Sequence, residues 1–107
     1  MGYYLFQAAY TSESWSALVR NPQSRLEAVQ PVAEKLGGRM ETAWFSFGEY
    51  DVVAVLNMPD NVSAAAFSAA VAAGGGVKTA KTVPLLTMEE GVALMRKAGT
   101  SGYRPPK

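Results

Sequence analysis

Residues 44–58 read "WFSFGEYDVVAVLNM". Two apolar runs flank Gly48-Glu49-Tyr50-Asp51, the pattern of a β-hairpin that turns at a glycine. The turn needs a residue that accepts φ > 0, and Gly48 supplies it. It does not need two carboxylates and a phenol, so Tyr50 and Asp51 are surplus to the hairpin and become candidate ligand groups. Pairing Phe47 with Val52 sets the register, and opposed residues then share a side of the sheet. Ala43, Phe45, Phe47, Val52, Ala54 and Leu56 fall on one face, every one apolar. Helices are expected to cover that face, with Phe45 and Phe47 in the core. The other face carries Thr42, Trp44, Ser46, Val53, Val55 and Asn57, too apolar a set for a freely solvated sheet.

The rest of the chain builds outward from this hairpin. Residues 3–10, "YYLFQAAY", read as a first strand. Thr11 or Ser12 caps a helix carrying Trp15, Leu18 and Val19, and Asn21-Pro22 reads as a second cap with proline at the first helical position. Leu26, Val29, Val32, Ala33 and Leu36 mark one helical face, Pro31 lies inside it, and Gly37-Gly38 ends it. Strands are expected over 39–47 and 51–58, then an Ala-rich helix over 62–73 capped by Asp60 and stopped by "GGG" at 74–76. Residues 77–86 form a fourth strand whose Pro84 points to a sheet edge. Thr87 and Glu90 have capping-box spacing for a last helix to about Ala98. The order β-α-β-β-α-β-α predicts an α+β, ferredoxin-like βαββαβ sandwich, a four-stranded antiparallel sheet with helices on one face. Residues 1–98 form that domain and 99–107 a mobile tail.

Composition narrows the chemistry. The 107 residues are 49% hydrophobic and 18% charged, which fits one globular domain. There is no Cys and no His, so thiol chemistry, imidazole bases and the commonest transition-metal ligands are excluded. Neither a metal site nor a cofactor is expected. Net charge is +1 with no long basic run, so no nucleic-acid groove is indicated. "MGYYLFQAAY" lacks a basic n-region and is too short to span a bilayer, and the expectation is a cytoplasmic protein without membrane contact. "GGGVK" opens a strand rather than a helix, unlike a phosphate-binding loop.

"FGEYDVVAVLNMPD", preceded by "RLEAVQPVAEKLGGRMETAW" and followed by "GGGVKTAKTVPLLTMEE", resembles the GYD-domain family of small bacterial and archaeal proteins, named for this Gly-x-Tyr-Asp turn. The resemblance runs from about Tyr3 to Glu90; Pro31 and the residues after Ala98 depart from it. It implies kinship with dimeric α/β-barrel proteins, in which two ferredoxin-like sheets pack face to face. It supplies no established activity. The same hairpin is similar to the ligand-binding domain of leucine-responsive transcription regulators, where the turn lines an inter-subunit pocket for amino-acid effectors.

Trp44, Gly48, Tyr50 and Asp51 are therefore the candidate ligand-binding residues, and no catalytic set is identifiable. Each also has a plain structural role: backbone conformation for Gly48, an Asx-type turn for Asp51, and subunit packing for Tyr50 and Trp44. The leading reading is a small-molecule binding or sensing module that works as a homodimer or an assembly of dimers. Its alternative is a cofactor-independent monooxygenase- or isomerase-like enzyme of the dimeric α/β-barrel type; a purely structural assembly protein is the third class.

Overall fold

The computed structural model describes residues 2–106. The four strands are β1 (Gly2–Tyr10), β2 (Arg39–Phe45), β3 (Val52–Met58) and β4 (Val77–Leu85). They form one antiparallel sheet in the order β2-β3-β1-β4, the arrangement of two interleaved β-α-β units. The helices are α1 (Ser12–Arg20), α2 (Leu26–Lys35), α3 (Asn61–Ala73) and α4 (Met88–Gly99). Residues 100–106 carry no helix or strand, and Met1 and Lys107, the end of the predicted tail, lie outside the described residues.

Local signals place most elements. Thr11, Asp60 and Thr87 each accept a hydrogen bond from a first-turn amide, at Ser14, Ser63 and Glu90. Glu90 also accepts from the Thr87 amide and completes the capping box. Pro84 lies in β4, an edge strand as expected. The Asn21-Pro22 expectation fails. Asn21 closes α1 by donating its amide to the Ala17 carbonyl, and α2 starts five residues later, at Leu26 behind Arg25. The first helical segment is thus two helices, and the order becomes β-α-α-β-β-α-β-α.

The core lies between the sheet and α2 and α3. Tyr4, Phe6 and Ala8 of β1, Ala54, Leu56 and Met58, and Met40 meet Ala33 of α2 and Ala64 and Phe67 of α3, all buried. Phe6 and Phe67 stack edge to face at 5.2 Å, a geometry that suits the ring quadrupoles. Gly38 admits this packing where the chain leaves α2. A Cβ there would collide with the Asn57 carbonyl and the Met58 side chain.

The hairpin keeps its predicted faces but not its register. Phe45 pairs with Val52 and Trp44 with Val53, a shift of two residues. An even shift preserves side-chain parity, so Ala54 and Leu56 still point to the helices and are fully buried. Phe47, however, leaves the sheet and is 100% exposed, and Phe45 sits at the helix-side lip at 55% exposure. Neither belongs to the core. A two-residue turn would pair Gly48 with Asp51, but the Asp51 carbonyl accepts from the Ser46 amide at 2.8 Å, leaving 47–50 as a four-residue loop. Gly48 has φ +143° in that loop, where other residues are strained.

Phe67→Ala should cost about 3–5 kcal/mol in denaturant unfolding, and Phe45→Ala less than about 2 kcal/mol; equal losses would contradict this register. Gly38→Ala should cost about 1–3 kcal/mol because Asn57 backbone must move. An unchanged melting midpoint would show that the α2–β2 join has slack there.

Candidate functional site

The hairpin motif works first as a clasp. The Asp51 amide donates to the Ala8 carbonyl at 2.9 Å. Its carboxylate Oδ2 accepts from the Tyr10 amide at 2.8 Å and from Trp15 Nε1 at 3.2 Å. One residue thereby ties β3 to the end of β1 and to α1. The Tyr10 and Trp15 rings meet edge to face at 5.4 Å. Ser46 closes the loop base by donating its hydroxyl to the Tyr50 carbonyl at 2.8 Å. Asp51 therefore has a structural role that reaches across the sheet, in place of a local Asx turn.

Beside the clasp, on the helix side of the sheet, is a cavity of about 570 Å³. Phe6, Ala8 and Tyr10 form its floor with Ala43, Phe45 and Val52, and Leu18, Val29, Val32, Phe67 and Val71 line the helix side. It exists because the chain breaks between α1 and α2 and because Ala8 and Ala43 are too short to fill the space. Its polar lining comes from Tyr10, Ser14 and residues 23–25. Burial pushes the Tyr10 hydroxyl above its ordinary value; Arg25 pulls it down and Asp51 adds to the rise. The neutral phenol is favoured in the fold, so stability linked to it holds below pH 10 and declines as the pH rises further.

Of the four residues expected to bind, Gly48, Tyr50 and Asp51 share the loop, with Tyr50 and Asp51 half-buried. Trp44 follows the strand alternation to the sheet face opposite Phe45 and is 69% exposed, yet it also borders the cavity where β2 ends. Tyr3 lies on the same open side, opposite Asn57 and Leu85. The cavity residues on α1 and α2, above all Arg25, were not identified from sequence. The signal that could have found the space is the pair of alanines, Ala8 and Ala43, at helix-facing positions where the neighbouring sites are aromatic. Among the described residues no cluster of three metal-ligating side chains occurs, and no helix is long and apolar enough to cross a membrane.

The family model of the GYD domain matches residues 4–95. The crystal structure of FFRP-DM1 is similar over 80% of this chain and 100% of its own, at 12% identity and a TM-score of 0.51. That of TTHA0845 from Thermus thermophilus is similar over 81% of this chain and 95% of its own, at 15% identity and a TM-score of 0.54. At these identities the likeness shows a shared fold alone. No curated protein matches the chain.

Asp51→Ala should destabilise by about 1–3 kcal/mol, because the half-buried Tyr10 amide loses its acceptor. Asp51→Asn keeps an acceptor oxygen and should cost less. Thermal melts of both, read with Trp15 fluorescence, check the clasp; an unaltered Asp51→Ala melt would remove it from the architecture.

Proposed function

The chain belongs to the GYD-domain family, and we propose that it acts as a small-molecule binding or sensing module assembled from identical copies. The observation that carries this reading is the cavity between the sheet and α1–α2. It has the size and the apolar lining of a ligand site. No carboxylate lines it, and His and Cys are missing from the sequence, so it offers enclosure and orientation rather than proton abstraction. That favours a binding module over the cofactor-independent enzyme. Gly48, Tyr50 and Asp51 do not line the cavity; in this reading Asp51 acts on it indirectly, by holding Tyr10 in place, and Gly48 by permitting the loop.

The open sheet face supports assembly. Tyr3, Leu5, Val53, Val55, Val83 and Leu85 project to the side that α2 and α3 leave uncovered, and Trp44 joins them. Among the described residues, α4 presents a second apolar surface. It has no buried residue, and Met88, Val92 and Met95 fall at helical spacing on it, Met88 91% exposed. A second copy packed across the sheet, as in a dimeric α/β barrel, would cover both kinds of surface. The proposal places this assembly in the cytoplasm, without nucleic acid.

Native mass spectrometry of the purified protein tests the reading. The expected result is a dimer or a multiple of dimers carrying a small molecule. Val55→Lys should shift it to monomer, since assembly would bury an unpaired charge. Wild-type protein that stays monomeric and ligand-free at tens of micromolar, on the order of ordinary solution conditions, would sink it.

A further inference from the structure

We propose that the cavity, which the reading above makes the ligand site, takes an amphiphilic monoanion: an apolar body in the cleft and a carboxylate or similar oxyanion on the Arg25 guanidinium. Of the 24 residues that line the cavity, Arg25 alone carries a full charge. Among the described residues the one ion pair joins Arg39 to Glu41, and no carboxylate lies within ion-pair distance of the Arg25 guanidinium. Glu27, two residues further on in the first turn of α2, does not line the cavity.

Placement adds to charge. Arg25 is the cap residue of α2, and its side chain makes no capping bond. The exposed Arg25 guanidinium lies at the N-terminal end of the helix, where the dipole also favours an anion, although the Leu26 amide already donates to Ser24 Oγ and the Ala28 amide to the Arg25 carbonyl. Tyr10 is close enough to feel Arg25 electrostatically and offers a neutral hydroxyl as a second donor. Gln23 and Ser24 adjoin Arg25 in the sequence, and both line the cavity. A polar end thus faces walls built from Phe6, Leu18, Val29, Val32, Phe67 and Val71. A cation would meet Arg25 unfavourably, and an uncharged body would leave it unused. A dianion would carry one charge more than the site can match. About 570 Å³ suits a medium-chain acyl group or a two-ring aromatic.

The test compares two fluorescent probes that share one skeleton, 1-anilinonaphthalene-8-sulfonate and its uncharged parent N-phenyl-1-naphthylamine. The sulfonate should bind about tenfold more tightly. Arg25→Gln should erase that preference and leave the parent's affinity within about twofold. Ala17→Trp, placed on the exposed side of α1 that borders the cavity, should block both probes while far-UV circular dichroism stays native. Equal binding of the two probes, unchanged in Arg25→Gln, overturns the anion assignment but leaves a small-molecule cavity standing. Binding that survives Ala17→Trp places the probes elsewhere and overturns the site. Failure of both probes to bind overturns the assignment and the ligand-binding reading together.

Discussion

The bonds of Asp51 hold together three parts of the chain that are far apart in sequence. Its amide reaches the Ala8 carbonyl, and its carboxylate takes the Tyr10 amide and the Trp15 indole. The two side-chain contacts span 41 and 36 residues. With the hairpin end pinned to the last residues of β1, Ser46 rather than Gly48 meets Asp51, and the loop 47–50 hangs beyond the sheet. The indole contact does the same for α1. Trp15 is held over Tyr10 at the sheet's end, so α1 stands at the rim of the helix layer instead of lying across it.

Packing is uneven as a result. Around Phe67 the sheet and α3 close tightly, helped by the alanines of α3 that let its backbone approach and by Gly38 where β2 begins. Toward Tyr10 the layer opens, because α1 and α2 are separate helices with residues 21–25 between them. The cleft is open to solvent, with the lining residues Leu26 and Phe45 exposed, so its apolar wall stays wet unless a ligand or partner covers it. The β-bulge of β2 between Met40 and Thr42 fits the same geometry. It keeps Met40 buried against the helices while letting Glu41 accept from both Arg39 and Asn57 on the outside.

Much of this architecture was legible in the residues. Period-two alternation assigned both hairpin faces correctly, because Ala54 and Leu56 could be buried in only one parity. Caps at Thr11, Asp60 and Thr87 act within three residues of themselves, so sequence alone revealed them. Register was not legible. It depends on what Asp51 bonds, and those partners lie in β1 and α1. The break after Arg20 was legible, because Asn21-Pro22 has the local form of a helix start; its position was not, since Asn21 closes α1 and α2 begins only at Leu26. The cavity was legible only as a shortage of volume at Ala8 and Ala43. Arg25 reads as a surface arginine and is exposed in the fold as well; only its place on the cavity lining sets it apart.

The sheet separates two kinds of surface by a single peptide unit. In β2, Ala43 and Phe45 line the cavity while Thr42 follows the outer face, and Trp44, on that outer parity, still borders the cavity at the strand's end; in β3, Val52 lines it and Val53 does not. The strands are not equally constrained. β3 is hydrogen-bonded on both sides, by β1 and by β2, whereas β2 is an edge strand, bonded on one side and interrupted by its bulge. Displacing β3 would disturb two ladders and the fully buried Ala54, Leu56 and Met58; displacing the end of β2 disturbs one ladder and the exposed Phe45. The softest wall of the cavity is therefore also the strand that carries Trp44 outward, and any strain imposed from within the cleft is relieved at lowest cost toward that outer face.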